Sequence, residues 1–183
     1  MTPDRASAVH STPTPHTFIV YVEDRPGVLN RIVTLFRRRA YNIDSLTVGR
    51  TERAGVSRIT LIARADAHTA RHLEANLYKI VDVLAVEDVT SAPAVVREMA
   101  FIKLGSRHRS EVMQLCEVFR ARIVDLAPGT ITVESTGSQD KIDGLIEALL
   151  PLGILELVRT GAVAITRGAP TVFAGLEPAE SFS

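Results

Sequence analysis

Apolar and polar positions alternate in blocks that repeat. Phe18-Ile19-Val20-Tyr21-Val22 is a short apolar run bounded by polar residues, and Thr17–Val22 reads as a strand. It empties through Glu23-Asp24-Arg25-Pro26-Gly27 into a helical pattern. Val28, Leu29, Ile32, Val33, Leu35 and Phe36 predict a helix over Pro26–Arg39 with a broad inward face, and Arg37-Arg38-Arg39 complement the dipole at its end. Ile43–Arg50 and Val56–Ala63 predict two strands joined by a Gly-ended loop, Thr51–Gly55. Asp66 then caps a second helix through Leu73, Leu77 and Ile80, and Val81–Val89 supplies a fourth strand. The order strand-helix-strand-strand-helix-strand is the split-βαβ, ferredoxin-like arrangement.

Ser91-Ala92-Pro93-Ala94 breaks the pattern, and the same order then recurs with different residues. Glu98–Leu104 reads as a strand, Ser106 as the cap of a helix over Arg107–Arg120, and Ala121–Ala127 as a strand. Pro128-Gly129 turns the chain into Thr130–Ser135, Ser138 caps a helix to Leu150, and Ile154–Thr166 is an extended run bent near Gly161. The expected fold class is α+β, with two successive βαββαβ domains at residues 16–92 and 93–168. Residues 1–15 and 169–183, rich in Pro, Ser, Ala and scattered charge, are expected to be flexible tails. Antiparallel sheets covered by helices on one face leave the other face and the edges open, which favours self-association.

Composition narrows the function more than the fold. Among 183 residues, 46% are hydrophobic and 23% charged, with 21 basic and 21 acidic side chains. Neither half carries the basic excess of a phosphate-backbone binder, so nucleic acid is not expected as a partner. No apolar run approaches the length needed to cross a bilayer, and no secretory apolar core stands at the start. The expected location is cytoplasmic. Cys116 is the single cysteine; it excludes an internal disulfide and falls in a helical apolar pattern with Val112, Leu115 and Phe119. His68 and His72 have zinc-compatible spacing without an HExxH motif and read as exposed helix residues. With no Gly-x-Ser-x-Gly and no P-loop, the chain reads as a binder and not an enzyme, with no metal or catalytic residue.

The stretch around Glu23–Leu29 carries the most chemistry. Gly27 allows close approach of a ligand or backbone, and Pro26 suits a first helical turn. The helix start offers unpaired N–H groups to an anion, and Asp24 offers a negative charge to a cation. A free amino acid needs both. A plain capping role for Asp24, with Pro-Gly as a simple turn, accounts for the same residues.

Val22-Glu23-Asp24-Arg25-Pro26-Gly27-Val28-Leu29, followed by Arg39-Ala40-Tyr41-Asn42-Ile43-Asp44-Ser45-Leu46-Thr47-Val48, resembles the ACT domain. More narrowly, it resembles the small regulatory subunits of acetohydroxyacid synthase (acetolactate synthase). Tyr78–Leu84, Ser57–Thr60, Arg97–Met99, Phe119–Asp125 and Arg159–Ala164 follow the same family pattern, so the likeness runs from about His16 to Gly168. The resemblance implies a non-catalytic subunit that binds and activates a catalytic subunit and confers feedback inhibition by valine or other branched-chain amino acids. Thiamine diphosphate, magnesium and FAD would then belong to the catalytic partner, and none to this chain. It implies a homodimer with the effector between two ACT domains, held by Asp24, Arg25, Pro26, Gly27, Val28 and Leu29 of one chain and Asn42 and Ile43 of the other. Relatives often carry asparagine at the Asp24 position. A free-standing amino-acid-sensing ACT protein that controls transcription or another pathway is the alternative.

Overall fold

A computed structural model of the chain describes residues 12–168. They form two compact units, divided between Ala92 and Pro93. In the first, β1 (Thr14–Glu23), α1 (Val28–Arg38), β2 (Ile43–Arg50), β3 (Val56–Ala65), α2 (Ala67–Leu77) and β4 (Val83–Asp88) follow in order. The antiparallel sheet runs β2-β3-β1-β4. In the second, β5 (Ala94–Gly105), α3 (Arg109–Phe119), β6 (Arg122–Leu126), β7 (Thr130–Gly137), α4 (Gln139–Leu149), β8 (Ile154–Arg159) and β9 (Val163–Thr166) repeat that order, with a sheet running β6-β7-β5-β8. The α+β class and the doubled βαββαβ order are those expected from the sequence.

Register follows the apolar alternation. Phe18 lies opposite Leu61 and Val20 opposite Ile59, while Val20 also faces Val86 across β4. These side chains point to the helices, where Val28, Ile32 and Phe36 of α1 and Leu73 and Leu77 of α2 close the core. Each such fully buried aliphatic or aromatic side chain stabilises the fold by roughly 1.5–3 kcal/mol relative to exposure. The second core joins Ile102, Leu104, Ile131 and Val133 of the sheet to Val112 and Cys116 of α3 and Ile142, Leu145 and Leu149 of α4. Cys116 is buried, and that burial pushes its thiol pKa up, as suits a structural thiol.

Several expectations change. α1 starts at Val28, so Pro26 lies before it; Gly27, at φ +89°, turns the chain and stands at the cap position. Only Val28, Ile32 and Phe36 of α1 are buried, whereas Leu29 and Val33 are 41% and 42% exposed. The broad inward face is thus a narrow one, because a single sheet covers one side of the helix. Ser106 caps nothing: its hydroxyl donates to the Pro128 carbonyl, and a short 3-10 turn precedes α3. Asp66 and Ser138 do cap their helices, accepting from the Thr69 and Lys141 amides. The last extended run divides into β8 and β9 around Gly161, at φ +80°, so that β9 pairs with the first third of β5. The far face of the first sheet is not open at its centre. Ile19, Tyr21, Thr60, Ile62 and Ala85 are all buried, and the Arg58 guanidinium lies 5.7 Å from the centre of the Tyr21 ring.

β1 begins at Thr14, inside the expected tail, because Thr14 and Pro15 pair with Ala65 and Arg64. Residues 1–11 of that tail, and all of the expected 169–183 tail, fall outside the described residues. Among the described residues no helix is long and apolar enough to cross a membrane, and no group of three or more ligating side chains could hold a metal.

Candidate functional site

The loop between β1 and α1 is held by backbone bonds at both flanks. Glu23 N–H donates to the Asp82 carbonyl at 2.9 Å and Asp24 N–H to the Gly55 carbonyl at 2.8 Å. Arg25 N–H turns back to the Glu23 carbonyl at 2.9 Å. The loop therefore sits on the end of the sheet where β3 begins and β4 begins. Arg31, one turn into α1, pairs with the buried carboxylate of Asp82, which ties the helix start to the same sheet end.

One feature makes this helix start unlike those of α2 and α4: no side chain caps it, since Gly27 has none to offer. Its first turn holds no acidic residue, as in α2, whereas that of α4 holds Asp140. The first-turn N–H groups of Leu29 and Asn30 have no carbonyl four residues back within the helix, and they carry the positive end of its dipole. Asp24 is exposed, with its carboxylate 3.6 Å from the Arg50 Nε, and it does not cap α1. The plain capping reading of Asp24 is thereby set aside. Its charge is shared with Arg50 and not free, a partner that sequence spacing did not reveal; the signal was that Arg50 ends β2 at the rung of Ser57, beside the loop.

Asp24, Arg25, Pro26, Gly27, Val28 and Leu29 thus come together, with Val28 buried as an anchor and Leu29 exposed beside Val33. Asn42 and Ile43 do not join them. Ile43 pairs with Ala63 at the opposite end of β3 from Ser57. Seven residue steps separate it from Arg50, roughly 23 Å at about 3.3 Å per step. The Asn42 amide donates instead to Asp44 at 2.8 Å, and Asp44 also accepts from Arg64 at 3.1 Å. Within one protomer the two groups of residues cannot contact one small ligand. His68 and His72, on α2, place their Nε2 atoms 3.2 Å apart on an exposed surface.

Residues 18–85 match the model of the AHAS small subunit-like ACT domain, and residues 97–168 match that of the small subunit of acetolactate synthase. The acetolactate synthase small subunit of Bacillus subtilis is 47% identical over 150 residues, covering 80% of this chain and 87% of its own length. A probable acetolactate synthase small subunit from Methanothermobacter thermautotrophicus is 41% identical over 167 residues, covering 90% of this chain and 99% of its own. The chain belongs to the acetolactate synthase small-subunit family. The crystal structure of the acetolactate synthase small subunit from Thermotoga maritima superposes with a TM-score of 0.79 at 34% identity, covering 86% of this chain and 99% of that one. The small-subunit likeness therefore spans both units, and the ACT domain is the first of them.

Proposed function

We propose that this chain is the regulatory subunit that activates a thiamine-diphosphate-dependent acetolactate synthase catalytic subunit and makes it sensitive to valine or a related branched-chain amino acid. Membership of the small-subunit family supports the coarse role. The observation that carries the finer one is the uncapped start of α1 beside Asp24. First-turn N–H groups suit an α-carboxylate, Asp24 suits an α-ammonium, and the exposed Leu29–Val33 stripe suits an aliphatic side chain. Asn42 and Ile43, at the far end of the same sheet, reach that ligand only from a second copy. The effector site therefore needs a homodimer. Thiamine diphosphate, magnesium and FAD belong to the catalytic partner, and this chain contributes no group to the chemistry.

The magnitudes agree with a metabolite sensor. Burying an isopropyl group contributes roughly 1.5–3 kcal/mol, and charge-assisted hydrogen bonds contribute about 1.5–3 kcal/mol each. After association costs this corresponds to dissociation constants on the order of 0.01–1 mM. Co-purification with the cognate catalytic subunit, assayed with and without valine, tests the proposal. The expected result is a complex more active than the catalytic subunit alone and inhibited by valine. Failure to associate, or activation without any amino-acid response, overturns the respective half.

A further inference from the structure

In the second unit, where β7 ends and α4 begins, a cavity of about 360 Å³ is lined by Arg97, Arg120, Thr136, Gly137, Ser138 and Lys141. Half of that lining is cationic and none is a carboxylate. Three other basic side chains of this unit find acidic partners: Arg159 meets Glu98 and Asp143, Lys103 meets Glu156, and Arg122 meets Glu134. Among the described residues, no ion pair involves Arg97, Arg120 or Lys141. In a chain of zero formal net charge this is a local accumulation of unneutralised positive charge.

The cluster is also held in place. The Lys141 ammonium donates to the carbonyls of Thr136, at 2.8 Å, and Arg120, at 3.5 Å, which leaves a third N–H unspent. A Cβ on Gly137 would lie 2.4 Å from the Lys141 Cδ, so the lysine stem lies directly across that glycine. Arg120 closes α3 in the left-handed conformation, with its own N–H bonded to the Glu117 carbonyl. The Arg97 guanidinium donates one N–H to the neighbouring Val96 carbonyl and keeps its other donors. Asp140, in the first turn of α4, is exposed and does not line the cavity.

We propose that this cavity binds the phosphate group of a small molecule through Arg97, Arg120 and Lys141, as a second ligand site on the chain. The three cations come from three places in the chain: β5, the end of α3 and α4. A tetrahedral dianion offers oxygens to all of them, whereas a carboxylate offers two oxygens in one plane. The cavity also leaves room for the group that the phosphate esterifies. Because Arg97 and Arg120 are exposed, binding weakens as salt rises.

Titration of the full-length protein with inorganic phosphate and with phenyl phosphate, at fixed ionic strength in chloride, tests this. The expected result is saturable binding of both probes, with amide shifts of the folded protein concentrated at residues 136–141 and around Arg97 and Arg120. Arg120→Gln and Lys141→Gln should each weaken binding about tenfold, as loss of one charge-assisted bond does, with thermal stability and valine response retained. Gly137→Ala keeps all three charges but displaces the Lys141 stem, and should weaken binding as well. Absence of saturable binding by wild-type protein, or shifts elsewhere in the chain, overturns the proposal without recourse to any variant. If the variants instead lose association with the catalytic subunit while wild type ignores phosphate, the patch docks an acidic protein segment and the small-molecule reading is wrong.

Discussion

Gly27 is where a single residue decides the character of the site. Its φ of +89° lies in the region that other L-residues avoid, although open space surrounds the position of a would-be Cβ. Gly27→Asp combines that backbone strain with a carboxylate at the helix start, where it would occupy the place of the ligand's own carboxylate. Loss of valine inhibition with activation of the catalytic subunit retained is the expected outcome, and Gly27→Ala separates the two causes. If alanine costs as much sensitivity as aspartate, strain alone explains the loss. At the other end of the sheet, the Asn42 amide gives one N–H to Asp44 and keeps its second N–H and its carbonyl oxygen. Asn42→Ala should weaken valine binding by about 1–3 kcal/mol, the usual cost of a lost polar partner at a buried site. It should also reduce the gain in dimer stability that valine brings. Calorimetry and dilution-dependent sedimentation measure the two quantities; no change in either removes Asn42 from the site.

At the scale of elements, the sequence carried the order of strands and helices but not their exact roles. Alternation gave β2 to the residue and placed Asp66 and Ser138 at their caps, since those signals are local. It missed the true start of α1, the exposure of Leu29 and Val33, and the separation of β9, because each depends on backbone geometry or on which side a distant sheet covers. The Arg50 partner of Asp24 was hidden for the same reason: the pair meets only once β2 is in register. Two predictions belong here. Arg159 on β8 holds the buried carboxylate of Glu98 on β5 and reaches Asp143 on α4 at 2.7 Å, joining strand, strand and helix. Arg159→Met strands that buried carboxylate and should destabilise the second unit by about 2–3 kcal/mol, seen as an earlier urea midpoint. Glu98→Gln in the same background should recover part of the loss.

The second concerns acid. Burial would push the Asp88 carboxyl up, but bonds from Thr90 and His16 outweigh it and leave it below the usual range; the Thr69 amide lowers Asp66 likewise. Carboxyls held low in the folded state stabilise it above their unfolded values, near pH 3.8, and that contribution disappears as pH falls through the lower folded values. Glu74, raised by burial and by Asp88, acts in the opposite sense. Melting temperature should therefore fall below about pH 4, and Asp88→Asn should start lower at neutral pH and fall less steeply. A variant with the wild-type acid limb would show that Asp88 carries none of it.

As a whole molecule, the protein consists of two units, each with its own closed core. Their unfolding need not be a single transition. Valine should raise only the melting of the unit that contains Gly27, by mass action, and Arg159→Met should lower only that of the other. Calorimetric scans that move as one peak under both changes would instead show that the units unfold together.

The pairing of β9 with the start of β5 brings the two ends of the second unit side by side: Ala94 faces Thr166, and Arg167 N–H donates to the Pro93 carbonyl at 2.7 Å. A tension applied at Pro93 and Gly168 is therefore borne by the outermost rung alone, and each broken rung passes the load to the next. The unit opens under force like a zipper and not like a lap joint, so it should yield at low force in a single-molecule pull. Joined end to end by a short linker and opened at the Pro128-Gly129 turn, the same unit should fold as a circular permutant.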